Sequence, residues 1–158
     1  MPDQSESVFL PLYSLKDGQP FVYERSGLNQ WNASGRDRDP NEVYIPVPVE
    51  VHRVAPDFFF FFDTPFKLQL PDGRAMSVKI CQSGNKALMS QHNADLGEWL
   101  LRDVLNLQPN KLLTYEQLET IGIGAVEISK RGNTYSIDFK ELGSYEAFLD
   151  NQPAATRS

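Results

Sequence analysis

The stretch that begins Arg25-Ser26-Gly27-Leu28-Asn29-Gln30-Trp31-Asn32 and runs to Pro48 is too polar to be core. Between Ser26 and Asn41 it carries two glycines, three asparagines, Gln30, Trp31, Arg36, Asp37, Arg38 and Asp39. Flat donor and acceptor groups of this kind suit nucleic-acid bases. Arginine bonds both acceptors of a guanine, asparagine or glutamine pairs with an adenine edge, and a carboxylate accepts from a cytosine amino group. On that chemistry Arg25, Arg36 and Arg38 are candidates for guanine edges or phosphates. Asn29, Gln30, Asn32 and Asn41 are candidates for adenine or backbone contacts. Asp37, Asp39 and Glu42 would meet cytosine amino groups or hold the arginines, and Trp31 either packs at the base of the segment or touches the ligand. Connections between strands usually run from two to about six residues, so an irregular segment this long is expected to be a functional arm. The same residue types also make an ordinary loop, with Asn, Asp and Gly serving turns and Arg36 to Asp39 pairing among themselves.

A second segment has a similar character. From Gly73 to Asn93 there are three bases, Arg74, Lys79 and Lys86, and no acid. Lys79 and Lys86 are placed to meet phosphate, with Gln82, Ser83, Asn85, Ser90, Gln91, His92 and Asn93 as donors to bases or phosphates. Alternatively this is a loop leading to a helix, with Ala87, Leu88 and Met89 tucked onto the core.

The net charge of −6 opposes phosphate binding at first sight, but its distribution matters more than its sum. Residues 94–150 hold ten acids against five bases, so the acid is concentrated in the last third. A DNA-facing side is compatible with the total if that third faces away. Weak nonspecific affinity and reliance on base contacts are then expected.

The elements that must hold these arms are mostly strands. Phe9, Leu10 and Leu12, then Asp17-Gly18, then Phe21 and Tyr23, read as strand, turn and strand. Ile45, Val47, Val49 and Val51 alternate with Pro46, Pro48, Glu50 and His52, which predicts a half-buried strand with His52 on its outward side. Five phenylalanines, Phe58 to Phe62, predict a core strand buried on both faces. Hairpins are expected around Pro71-Asp72-Gly73 and Arg131-Gly132-Asn133. Asp95 with Glu98, and Thr114 with Gln117, have capping-box spacing. They predict one helix to about Leu107, with Trp99 on its buried stripe, and a short one to about Thr120. Tyr145, Phe148 and Leu149 suggest a closing helical turn. Seven or eight short strands with two short α-helices make a mainly β fold, a barrel or sandwich, in one domain over residues 1–150 with 151–158 as a linker or tail.

Other chemistry is weakly represented. Pro56-Asp57 and Asp138-Phe139-Lys140 imitate pieces of a metal-dependent nuclease motif, but Ile137 and Phe139 explain the second piece as a strand with polar outward residues. No catalytic or metal-binding residue is therefore assigned, and a small nuclease stays an alternative, as does a β-rich module binding sugar or protein through the Trp31 loop. The lone Cys81 allows no internal disulfide and reads as a buried structural thiol. Neither a signal peptide nor a long apolar run is present, so a cytoplasmic protein without membrane association is expected.

The run Ser26 to Trp31, then Arg36 to Pro40, Asn41-Glu42 and Tyr44-Ile45-Pro46-Val47-Pro48, resembles the B3-like DNA-binding domains of type II restriction endonucleases. Lys79-Ile80 with Gln82, Lys86-Ala87-Leu88, and Leu96-Gly97 with Trp99-Leu100 extend the likeness over about Val22 to Leu107. Similar domains are the amino-terminal effector domains of EcoRII and UbaLAI and the carboxy-terminal domain of NgoFVII-type enzymes. The resemblance implies an open pseudobarrel gripping the major groove of double-stranded DNA with two arms, about Arg25 to Glu42 and Lys79 to Asn93. It further implies a prokaryotic cytoplasmic protein, a monomer fused to a nuclease domain, and a site like CCWGG, where W is A or T. No cofactor is implied for this domain, and magnesium only for the separate nuclease domain.

Overall fold

Alternating apolar residues build the frame. A computed structural model describes residues 5–25, 27–32, 39–55, 58, 64–81, 87–91, 94–132 and 134–151. Among these lie the strands β1 (Ser5–Pro11), β2 (Ser14–Lys16), β3 (Gln19–Phe21), β4 (Ile45–Pro46), β5 (Phe66–Gln69), β6 (Ala75–Cys81), β7 (Ala87–Ser90), β8 (Ile123–Arg131) and β9 (Thr134–Glu141). Seven form one sheet in the order β1-β8-β9-β5-β6-β7-β4, antiparallel throughout except where β5 runs parallel to β9. The edge strands β1 and β4 approach one another without pairing, so the sheet closes into a barrel with one open seam. This is the mainly β pseudobarrel expected. Val8, Leu10, Leu68, Val78, Ile80, Leu88, Val126, Ile128 and Ile137 fill its interior, each such side chain contributing about 1.5–3 kcal/mol by leaving water.

Both expected later hairpins are present, β5–β6 and β8–β9. The first differs in detail. β1 leaves to pair with β8, and the Asp17-Gly18 turn, with φ of 54° and 79°, joins β2 and β3 into a small ribbon of their own. Two left-handed residues in succession match the twist of such a ribbon.

The strand expected from Ile45 to Val51 stops at Pro46, and Val49–Val54 is a helix, α1. Pro46 and Pro48 have no N–H with which to continue a ladder, and Pro48 stands extended at the helix N-cap with φ −64° and ψ 152°. Val51 is fully buried whereas Val49 is 55% exposed, which strand alternation would not produce. His52 is accordingly a helical residue.

The segment after β7 is helical from Asp95, first as α2 (Asp95–Gly97) and then as a π-helical stretch, Glu98–Val104, in which the Leu105 N–H reaches the Leu100 carbonyl at 2.9 Å. Leu96, Trp99, Leu100 and Leu101 are its buried side. The Asp95 and Glu98 box does not form, because Ala94 already has helical backbone and Asp95 lies inside the helix. Ser90 Oγ takes over by accepting from the Leu96 N–H at 3.1 Å. The second box is complete: on α3 (Tyr115–Ile121) Thr114 and Gln117 bond reciprocally, and Gly122 ends the helix at φ 87°. A closing helix, α4 (Ser144–Asp150), buries Tyr145.

Phe58 is buried in a turn rather than a strand, and Phe59 to Phe62 lie outside the described residues. The Tyr135 hydroxyl donates to the Phe58 carbonyl at 3.0 Å, with the two rings edge to face at 5.7 Å. Tyr135→Phe removes that hydrogen bond and is expected to cost about 1–1.5 kcal/mol. For a domain of this size a thermal melt should fall by roughly 2–6 °C.

Candidate nucleic-acid interface

The first arm is fixed at its root by bonds that the polar sequence does not advertise. Gly27, left-handed at φ 59°, opens a 3-10 helix (Gly27–Asn32), and its carbonyl accepts from the Tyr44 N–H at 3.1 Å, which ties the two ends of the arm together. Leu28 is buried and Trp31 packs partly against the core. Asn29, with no exposed surface, joins three backbone groups. Its Nδ2 donates to the Tyr23 and Leu113 carbonyls at 2.8 and 2.9 Å, while its Oδ1 accepts from the Leu113 N–H at 2.9 Å.

The far side of the arm is held by Arg102, from the π-helical stretch. Its Nε donates to Asn41 Oδ1 at 2.8 Å, one terminal nitrogen to the Pro40 carbonyl at 3.0 Å and the other to the Leu107 carbonyl at 2.8 Å. Burial lowers the Arg102 pKa from its usual value, partly opposed by the Asp39 carboxylate; a guanidinium starts so high that it stays charged. Gly97 is adjacent. A Cβ there would stand 2.0 Å from the Asn41 carbonyl oxygen, so only glycine lets the helix approach the arm this closely.

Each candidate residue has a definite place. Arg25 is exposed at the start of the first arm. Asn29 is enclosed, with its amide used by Tyr23 and Leu113, and the structure gives it an internal bracing role in place of the base contact expected. Asn32 donates to the Glu24 carbonyl at 3.1 Å, Asp39 accepts from the Asn41 N–H at 2.8 Å, and Glu42 is only 5% exposed. Gln30 Oε1 and Trp31 Nε1 are buried with no hydrogen-bond partner among the described residues. On the second arm Lys79 sits opposite Met89 and is half-buried. Ser90 is buried and bonded to α2, so it too is an internal residue, and Gln91 is exposed with its side chain accepting from Ser77 Oγ at 2.7 Å. Arg36, Asp37, Arg38, Gln82, Ser83, Asn85, Lys86, His92 and Asn93 lie outside the described residues, and so does the Cys81 side chain.

Strand register divides the second arm. Cys81 and Pro46 both pair with Ala87, and Val78 pairs with Ser90, so residues 82–86 and 91–93 join opposite ends of β7, roughly 10 Å apart at ~3.3 Å per residue. Each half has a neighbour on the first arm. The end carrying 82–86 is shared with Pro46, which touches Gly27, and the end carrying 91–93 leads into α2, where Gly97 touches Asn41. Residues 82–86 and 91–93 thus adjoin β6 and β7, and the far end of the first arm enters β4 beside them.

Residues 4–132 match the family model of the NgoFVII C-terminal B3-like DNA-binding domain. The chain belongs to that family. No curated protein matches it with significance. The B3-like domain is a DNA-binding domain of a restriction-enzyme family, and the barrel with one open seam is the architecture expected of it.

The contacts that Arg102 and Gly97 make with the arm's root are not legible in the sequence, although Gly97 stands in the motif that carries the resemblance. Arg102 reads locally as a base near a helix C-terminus, and its acceptors Asn41 and Pro40 lie 61 and 62 positions away. The nuclease-like triplet carries an ordinary pair: Lys140 bonds Glu127 at 3.2 Å on the outer face of the β8–β9 hairpin. Among the described residues no three His, Cys, Asp or Glu side chains gather where a metal ion could sit, and no helix is long and apolar enough to cross a membrane.

Proposed function

We propose that this B3-like domain reads a short duplex sequence, of the CCWGG type, by setting its two arms into the major groove. In this reading it is the recognition part of a larger type II restriction endonuclease, monomeric and cytoplasmic in a prokaryote. Cleavage and its magnesium belong to a separate nuclease domain.

The observation that carries the reading is a segregation of charge by strand. The second candidate segment, free of acid from Gly73 to Asn93, leaves from β6 and β7, whereas β8, β9, α3 and α4 carry seven of the ten acids of residues 94–150, the other three, Asp95, Glu98 and Asp103, standing on the helix beside the first arm. In the sheet order these sets stand on different parts of the barrel, so phosphates can approach one wall without meeting most of the carboxylates. The Gln30 and Trp31 atoms that find no partner among the described residues add support, since a buried polar atom without a partner costs about 1–3 kcal/mol, and a polar group of a ligand can supply that partner.

A mobility-shift selection from a random duplex pool tests this. Enrichment of one defined site is expected, bound about a thousandfold or more tighter than random duplex. Affinity should fall with salt at a log–log slope of about −0.9 per phosphate contacted. Cognate duplex incubated with the chain and magnesium should stay intact. Equal competition by random duplex rules out base reading, and indifference to salt rules out nucleic acid altogether.

A further inference from the structure

We infer that Arg102 is a positioning residue for sequence discrimination: it touches no DNA, and it fixes the first arm in the geometry that reads bases. The inference rests on the two-arm reading above. Its basis is a convergence of three elements. The Arg102 fork bonds a side chain and a carbonyl at the arm's root, Asn41 and Pro40, and on the other side the Leu107 carbonyl beyond the end of its own helix. The helix that carries it is pressed against the same root, with Gly97 where no Cβ fits beside the Asn41 carbonyl. A π-helical stretch is a rare departure, frequent at functional sites, and here it holds the residue that makes the clamp. Asp39 caps the turn that follows, its side chain accepting from the Asn41 N–H and its carbonyl from the Glu42 N–H. Residues 33–38, which include Arg36 and Arg38, are the direct continuation of that root.

Lysine cannot replace this fork. It offers a point charge on a flexible stem, whereas the three acceptors here lie around one planar group. A phosphate contact would instead be largely kept by lysine, which separates the two roles.

The test uses the full chain with Arg102→Lys and Arg102→Ala. Each is titrated with the selected duplex and with random duplex at several salt concentrations, and its melting temperature is taken alongside. Both variants are expected to weaken specific affinity by about 5- to 150-fold, the range for removing one bidentate bond to a base. Random-duplex affinity should stay within about twofold and the salt slope should not change, because no phosphate contact is removed. Lysine rescue with a slope smaller by about one unit overturns the inference in favour of direct phosphate contact. A lower melting temperature with discrimination intact, measured well below the melt, overturns it in favour of a purely structural role. Should the unaltered chain fail to discriminate, the two-arm reading itself falls and this inference with it. If Arg102→Ala does not fold, Arg102→Lys alone decides the matter.

Discussion

Asn29→Ala is expected to destabilise the domain by about 3 kcal/mol, lowering a thermal melt by roughly 6–12 °C. The side chain is fully buried and answers three backbone groups, the Tyr23 and Leu113 carbonyls and the Leu113 N–H. Alanine removes all three partners and admits no compensating group, so each orphan bears its own desolvation penalty. Asn29→Asp separates bracing from mere volume. It keeps the shape and the acceptor for Leu113 N–H, but an ionised carboxylate would face two carbonyl oxygens with nothing to donate. Those surroundings raise the folded pKa of the new carboxyl above its unfolded value. The stability it contributes is therefore present at low pH, where it is protonated and donates once, and is lost as pH rises through the folded pKa. Asn29→Asp should thus be closer to the unaltered protein near pH 4 than at pH 7, while the Asn29→Ala difference should not vary with pH. A melt within about 2 °C of the unaltered chain for Asn29→Ala would show that the brace contributes little.

What could be foreseen in the sequence was whatever is encoded within a few residues. The hairpins at Pro71-Asp72-Gly73 and around Gly132 follow from turn chemistry, and the Thr114 and Gln117 box from a spacing of three. Val47, Val49 and Val51 misled because period two and the opening turn of a helix can share the same apolar spacing. Two prolines removing ladder donors decided the outcome. Polar loop residues misled in another way. Asn29 and Ser90 have the chemistry of base readers, but Asn29 is matched to Leu113, 84 positions away, and Ser90 to the start of α2. The sequence signal for an arm over about Arg25 to Glu42 does not say which of its residues brace the root, where the Tyr44 N–H bonds the Gly27 carbonyl. Bracing depends on contacts between distant parts of the chain, and no local pattern carries them.

The largest functional effect is expected from the residues between those braced roots. Asn29, Asn32, Asp39 and Asn41 are engaged internally, and the arginines proposed to read guanine are Arg36 and Arg38, which lie outside the described residues, beside the exposed Arg25. If each reads a guanine through both acceptors, its removal costs about 1–3 kcal/mol of specific binding. Arg36→Ala with Arg38→Ala should then weaken the selected duplex by about a hundredfold or more, with the melting temperature taken alongside to separate lost binding from lost folding. Salt dependence tells the two possible roles apart. Replacing a base reader lowers specific affinity at constant slope and leaves random duplex nearly untouched, whereas replacing a phosphate ligand weakens both duplexes and reduces the slope by about 0.9 for each phosphate no longer neutralised. Repeating the pool selection with each single variant adds a positional readout. A base reader, once removed, relaxes selection at one position of the site, and a phosphate ligand relaxes none. If the double variant binds the selected duplex as tightly as the unaltered chain, the first arm is not the reader and the assignment must move to residues 82–86.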